Sequence, residues 1–215
     1  MKQLLLIALM LNLMACETTQ NIKYTALEKV GIHKRDILVD RIKDTSVTQE
    51  KTKQEFQTAY QQLSSLVKVN DNGLEAKYNK LKKAVESSES RTDDLKKRIA
   101  KVDQVANALF TEWAQELDQY TSPNLRSISA SNLNTTKQRY AVIYQKMQSS
   151  YNNVLPVLKI LQDNTLYLKH NLNARAVNSL SSEVLSVEKK VTDLIKKMEI
   201  SIDESKRFIN EMQSS

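Results

Sequence analysis

The sequence predicts an all-α fold, an elongated antiparallel four-helix bundle whose long helices form a coiled-coil-like rod. Only two glycines and two prolines occur in 215 residues, so tight turns that need the backbone angles of these residues are few. Apolar residues also recur at alternating steps of four and three, the spacing of a helix-packing stripe. The hydrophobic content of 40% is below the globular average, which fits narrow apolar seams on wide polar faces.

Three stripes of this kind follow one another, and a weaker one precedes them. In the weaker segment, Val47 is the only aliphatic side chain between Lys43 and Glu55. The three regular stripes are Leu74, Tyr78, Leu81, Val85, Ser88, Thr92, Leu95, Ile99, Val102, Ala106, Leu109 and Trp113; Tyr140, Tyr144, Met147, Tyr151, Val154, Leu158, Leu161, Thr165 and Leu168; and Val177, Leu180, Val184, Val187, Val191, Leu194 and Met198.

Three breaks divide the chain into four helices. Residues 70–73 (NDNG) are typical of a turn with helix-capping side chains, residues 121–124 (TSPN) stop the second helix, and residues 171–173 (NLN) form the third break. The expected helices are residues 23–69, 73–120, 130–170 and 174–213, within one domain of residues 23–213. Short connections make neighbouring helices antiparallel, and each helix is about 60 to 75 Å long at 1.5 Å per residue.

The antiparallel path brings three irregular segments to one height. Residues 51–55, which are poor in apolar side chains, lie level with Ser88 and Thr92, and Pro156 falls at about the same height. A proline inside a helix removes a backbone hydrogen bond and kinks the helix. The sequence therefore predicts a loosely packed waist at which the rod bends.

The N-terminus has the pattern of a secretory signal peptide. Lys2 precedes an apolar run over residues 4–14 that only Asn12 interrupts, and this run is too short for a transmembrane helix, which needs about 20 residues. Residues 13–16 (LMAC) resemble the lipobox of bacterial lipoproteins. The resemblance implies cleavage before Cys16, attachment of diacylglycerol to its thiol and of a fatty acid such as palmitate to its amine. The lipoprotein signal peptide is then residues 1–15. The alternative is an ordinary signal peptide with a chance cysteine.

Cys16 is the only cysteine in the chain. A free thiol in an oxidising compartment is reactive, and lipidation would remove this reactivity. Two or three acyl chains make a lasting anchor. Residues 16–22 would then be the lipidated tether. Glu17 follows Cys16. In the sorting rule of enteric lipoproteins, an aspartate at this position retains the lipoprotein in the inner membrane. Because Glu17 is not an aspartate, the similarity to enteric lipoproteins implies that the protein is anchored at the periplasmic face of the outer membrane of a Gram-negative bacterium.

Three separated segments carry a resemblance to one protein family. Residues 24–41 (YTALEKVGIHKRDILVDR), 108–120 (ALFTEWAQELDQY) and 168–174 (LKHNLNA) are similar, in that order, to the signature stretches of domain-of-unknown-function family 2959, a family of uncharacterised bacterial lipoproteins. The resemblance covers essentially the whole mature chain. It implies a helical lipoprotein and supplies no activity.

The two histidines offer no predicted catalytic site. His33, Asp36 and Asp40 can share one helix face, which a metal ion could use, but the neighbouring cations Lys29, Lys34 and Arg41 favour a salt-bridged face instead. His170 is expected at the opposite end of the rod. With Asn171 and Asn173 it is expected to shape a turn, and the alternative is a partner contact through this exposed loop. No enzyme activity, no metal and no cofactor is predicted.

Charge is concentrated in the third helix. Residues 121–170 contain a single acid, Asp163, whereas their cations are Arg126, Lys137, Arg139, Lys146, Lys159 and Lys169. Solvation alone explains such cations if they are spread along about 65 Å of helix. The alternative is contact with an anionic surface such as phospholipid headgroups, lipopolysaccharide or peptidoglycan.

These observations favour a non-catalytic periplasmic lipoprotein, a tethered helical rod that acts as a structural or interaction scaffold at the cell envelope. The alternative is a helical bundle that binds or remodels a membrane surface with its basic third helix. Expected partners are the membrane through Cys16 and an envelope protein, peptidoglycan or lipopolysaccharide, and not nucleic acid. Heptad stripes also permit a homodimer.

Overall fold

The structure is a computed structural model that describes residues 33–67 and 73–214. No strand occurs in these two ranges, which confirms the all-α prediction. The helices are α1 (Lys34–Val67), α2 (Leu74–Glu116) with a 3-10 turn after it (Leu117–Gln119), α3 (Pro123–His170), α4 (Ala174–Ser179) and α5 (Ser181–Ser214).

Four long helices form the predicted bundle. α1 packs against α2 and α5, and α3 packs against the same two helices from the opposite corner, so α1 and α3 lie across the diagonal. The contact between α1 and α2 is the most extensive of the four. Short connections join consecutive helices and make packed neighbours antiparallel. Gly73 at the start of α2 adopts a left-handed conformation with φ 91°.

The third helix begins at Pro123 and not at residue 130, so the predicted boundary was wrong. Proline is favoured in the first turn because its missing N–H would have no helical partner there. Ser122 precedes it as the N-cap, and its hydroxyl accepts a hydrogen bond from the Leu125 amide. The segment TSPN therefore starts α3 as well as ending the helix before it.

The predicted fourth helix is two helices with a break at Leu180. The hydroxyls of Ser179 and Ser181 donate to the carbonyls of Ala176 and Asn178. Serine side chains that bond to nearby backbone groups compete with regular helical bonding, and this accounts for the break between α4 and α5. The apolar stripe nevertheless continues across it, since Val177, Leu180 and Val184 are all buried.

The core is made of the predicted stripes. In α5, every residue of the stripe from Val184 to Met198 is buried. In α2 and α3 the aliphatic members are buried except Leu109, which is half-buried together with Tyr78, Trp113, Tyr144 and Tyr151. Tyr140 is buried as well, whereas the rings of these four half-buried aromatic residues lie at the margins of the seam.

A belt of buried polar side chains crosses the middle of the bundle, and we call it the central polar layer. Gln49 is fully buried, and its amide nitrogen lies 2.6 Å from Ser150 Oγ and 2.9 Å from Ser201 Oγ. These bonds connect α1 to α5 and also to α3, which lies diagonally opposite α1 in the bundle. The other members are Thr45, Ser46, Thr48, Thr52, Ser88, Thr92 and Ser205, whose hydroxyls donate to the carbonyl one turn earlier in their own helix.

The polar level predicted for α1 and α2 is thus present, and it extends to all four long helices. Pro156 lies six residues after Ser150 in α3, which continues as one helix through it. A bend of the rod at this level stays a prediction.

Candidate interaction surface and the two ends of the bundle

The predicted lipidation and sorting residues, Cys16 and Glu17, lie outside the described residues, as do the signal peptide and the tether. The described chain begins at His33, whose carbonyl accepts hydrogen bonds from the amides of Asp36 and Ile37 in the first turn of α1. The end of the bundle at which α1 begins is therefore the end nearest to Cys16 along the chain.

Two ion pairs identify the helix ends that meet there. Lys34 Nζ lies 2.8 Å from Glu112 Oε1 near the end of α2, and Arg139 in the first third of α3 lies 2.8 Å from Glu211 near the end of α5. We call this the proximal end. The distal end contains the connections from α1 to α2 and from α3 to α4.

Lys34 corrects the predicted salt-bridged face. This lysine is buried, and its ammonium group contacts both carboxylate oxygens of Glu112 at 2.8 and 2.9 Å, so it joins α1 to α2. Arg41 pairs with Asp44, at 3.7 Å. Lys29 lies outside the described residues. Sequence spacing within one helix could not find the Lys34–Glu112 pair, because it joins residues far apart in the chain.

Asp36 and Asp40 are exposed and line an open pocket of about 720 Å³ with His33 and Arg35. Within the described ranges, no three His, Cys, Asp or Glu side chains stand close enough to hold a metal ion. His33 lies at the proximal end and His170 at the distal end, so the two do not share a site.

The side chains of two asparagines bond to backbone groups at the loop between α3 and α4. His170 is the last residue of α3 and is exposed. The Asn171 side chain donates to the Tyr167 carbonyl at 3.0 Å, and the Asn173 side chain caps α4 by accepting from the Ala176 amide at 3.0 Å. Contact of this loop with a partner stays a prediction.

The six cations of α3 do not form one continuous basic face. Arg126 pairs with Asp118, Arg139 with Glu211 and Lys159 with Asp163. The Lys137 ammonium group lies 5.9 Å from the centre of the Phe110 ring, within reach of a cation–π interaction. Lys146 and Lys169 are exposed and form no ion pair within the described part of the chain. These two lysines are the best candidates for an anionic partner.

Exposed apolar side chains are also concentrated in α3. Ten large apolar side chains are exposed among the residues that the structure describes, and six of them belong to this helix: Leu125, Ile128, Val142, Leu155, Leu166 and Tyr167. Sequence reasoning singled out the charges of α3 and missed these residues. These residues could have been found in the sequence, because each is an apolar residue that falls outside the regular stripe of α3.

An aromatic cluster joins α2 to α3 near the proximal end. The Tyr140 hydroxyl donates to Asp103 Oδ1 at 3.0 Å, and its ring meets Phe110 edge-on and stacks with Tyr144. Burial, and then the charge of Asp103, raise the pKa of Tyr140 well above its usual value. Phe110 and Tyr140 line an open pocket of about 610 Å³ beside Lys137 and Asp118, but both rings are themselves buried.

No helix within residues 33–67 and 73–214 combines the length and apolar character needed to cross a membrane. The family model described as "Protein of unknown function (DUF2959)" matches residues 23–212. Comparison with curated proteins gives no match, and comparison with solved structures gives none either.

Proposed function

We propose that this chain, which belongs to the DUF2959 family of unknown function, is a non-catalytic scaffold lipoprotein. In this proposal it is a helical rod that is tethered through Cys16 to the periplasmic face of the outer membrane. The rod presents its outer helix faces to a partner in the cell envelope. The observation that carries the proposal is the shape of the bundle. α3 has 48 residues and therefore spans about 70 Å at 1.5 Å per residue, so a tether at one end holds the other end far from the membrane.

The lipid anchor is tested first, in intact cells. We expect the N-terminal peptide of the wild-type protein to begin at Cys16 with acyl chains attached, and the Cys16→Ser variant to leave the membrane fraction or to keep residues 1–15. Thr18→Ser, two residues away, is the matched control and should be lipidated normally. An unmodified Cys16 in the wild-type protein would remove the tether from the proposal.

The sorting prediction has its own variant. If Glu17 permits export to the outer membrane, Glu17→Asp should move the lipidated protein to the inner membrane. Membrane separation by density measures the shift. An unchanged outer-membrane position would show that this residue does not decide sorting in this protein.

The scaffold role requires a partner on α3. A photoreactive residue at Lys146 or Lys169, which have no ion pair among the described residues, should capture that partner in intact cells. Arg139, which is held by Glu211, is the matched control on the same helix. One protein or peptidoglycan fragment captured at Lys146 or Lys169 and not at Arg139 supports the scaffold. An absence of any adduct at both lysines would contradict it.

The second candidate is binding or remodelling of a membrane surface by α3. It is favoured by the six exposed apolar side chains on a helix whose charge is mainly positive, since basic amphipathic surfaces bind anionic lipid. Lipid adducts at Lys146, Lys169 and intermediate positions of α3 would support this candidate. Vesicles that keep their shape when the purified protein is added would remove remodelling.

A further inference from the structure

The connection between α2 and α3 carries no net charge. We call residues 117–132 the hairpin tip. Asp118 and Arg126 are its only charged residues, and they pair with each other at 3.1 Å. The tip is therefore electrically neutral, in a chain in which 27% of the residues are charged.

Large apolar side chains are exposed on this neutral surface. Tyr120, Leu125 and Ile128 have 41%, 53% and 50% of their surface exposed. They lie within nine consecutive positions of the chain, and Trp113 and Leu117 are half-buried next to them. Neutral surfaces with grouped apolar and aromatic side chains are typical of contact sites rather than of solvated helix ends.

The tip extends beyond the other described helices at the proximal end. Arg35 at the start of α1 and Met212 at the end of α5 share a pocket of about 490 Å³ with Asn132 and Glu116. α3 begins nine residues before Asn132, so the tip projects roughly 10 Å past the described start of α1 at 1.5 Å per residue. A hydrogen bond of 2.8 Å from the Trp113 ring nitrogen to Ser129 Oγ holds the two arms of the hairpin together.

We infer that the hairpin tip inserts its apolar side chains into the interfacial layer of a lipid bilayer and gives the rod a second contact with the membrane beside its tether. The inference rests on the proposed function, because the proximal end faces the membrane only if the tether at Cys16 is attached to it. Tyrosine and tryptophan are enriched at membrane–water interfaces, and the two charges of the tip, on Asp118 and Arg126, are paired with each other.

The distal end lies far from the proposed membrane contact and supplies the control. Leu166 and Tyr167 are exposed on the same helix, at 58% and 40%, but Asp163, Lys169 and His170 surround them in sequence. They lie 38 residues from Ile128, or roughly 57 Å along the helix. A membrane that contacts the tip of an upright rod is out of reach of these two side chains.

The test is photocrosslinking in intact cells with the full chain. A benzoylphenylalanine residue replaces Ile128 in one variant and Leu166 in another, and adducts are identified by mass, as is the modification state of Cys16. Phospholipid attached at Ile128 and not at Leu166 is the expected result. Adducts at neither position, adducts with residues 23–32 of the chain itself, or capture of a protein at Ile128 would overturn the inference.

Failure of the tether is distinguishable from failure of the tip. Lipidated Cys16 without lipid adducts at Ile128 leaves the proposed anchor intact and removes the tip contact. Unmodified Cys16 with lipid adducts at Ile128 removes the anchor and keeps the tip contact. Equal lipid adducts at Ile128 and Leu166 overturn a contact specific to the tip and favour a rod lying along the membrane.

A second set of variants tests the side chains themselves. With the photoreactive residue at Tyr120, the double variant Leu125→Ser with Ile128→Ser should lose the lipid adduct. The matched pair Leu166→Ser with Tyr167→Ser removes similar apolar side chains at the distal end and should keep it. Both pairs are exposed in the folded protein, and circular dichroism confirms that each variant folds. An adduct that survives the tip substitutions would contradict the role of these side chains.

Discussion

At the scale of single residues, Gln49 is the buried polar side chain that links the most helices. Gln49→Ala should lower the free energy of unfolding by about 2 kcal/mol or more, because it leaves a cavity and removes the hydrogen bonds to Ser150 and Ser201. Gln49→Leu, of similar volume, should stay within about 1.5 kcal/mol of the wild-type protein. Urea unfolding measures both values.

Gln54→Ala is the control for Gln49, since Gln54 is exposed on the same helix. A change within about 0.5 kcal/mol is expected there. If Gln49→Ala were as mild as Gln54→Ala, the central polar layer would not be tightly packed.

Tyr140 makes a prediction about alkaline pH. Its pKa is raised by burial and by Asp103, so the folded protein holds the phenol proton above pH 10, where the unfolded chain releases it. The stability that this tyrosine contributes is present below about pH 10 and is lost as pH rises further. Tyr140→Phe should cost about 1 to 2 kcal/mol at pH 7 through the lost hydrogen bond to Asp103.

The difference in unfolding free energy between wild type and Tyr140→Phe should then shrink by about 1 kcal/mol per pH unit above pH 10. Tyr144→Phe is the control at a neighbouring ring. A difference that stays constant from pH 8 to pH 11 would show that Tyr140 titrates normally.

Some of these residues could be predicted from the sequence and others could not. The seam positions were correct because a repeating pattern averages over many residues, and Ser88 and Thr92 were placed in the seam by the same pattern. Gln49 and Lys34 were missed because each is buried by partners on other helices. A polar residue in a helix is exposed by default, and only the packed structure shows the exception.

At the scale of elements, Pro156 inside α3 makes a prediction about helix stability. Proline in a helix interior removes one hydrogen bond and costs about 3 kcal/mol in an ordinary helix. Pro156→Ala should therefore raise the free energy of unfolding by roughly 1 to 3 kcal/mol. Thermal or urea unfolding measures the change.

Pro123 is the matched control, since it is a proline in the first turn of the same helix. Pro123→Ala should bring no gain, because a first-turn proline costs no hydrogen bond and restricts the unfolded chain. A gain of similar size at both prolines would show that the interior hydrogen bond is not the cause.

Element boundaries were less predictable than element types. The turn segments were found from their composition, but TSPN was assigned to the end of one helix although it also starts the next. Capping is decided by the backbone conformation of Ser122, which composition does not show. The break at Leu180 was missed for the same kind of reason, because a continuous apolar stripe runs through it.

At the scale of the whole molecule, the central polar layer predicts uneven local stability. Apart from Ser150 and Ser201, which bond to Gln49, its buried hydroxyls bond to carbonyls of their own helices. We therefore expect the layer to hold the helices together less strongly than the apolar seams above and below it. Backbone amides near Ser88 and Ser150 should exchange hydrogen faster than those near Ile99 and Leu161. Uniform protection along α2 and α3 would contradict the predicted waist.

The antiparallel path also decides how the protein bears a mechanical load. The described chain begins at His33 and ends at Ser214, both at the proximal end, so a pull between these two points separates α1 from α5 and breaks their contacts one after another. A pull between the proximal end and the distal connections runs along the helix axes and loads every seam at once. We therefore expect the bundle to resist stretching along its axis better than separation of its first and last helices, and stretching is the load that the proposed tether would place on it.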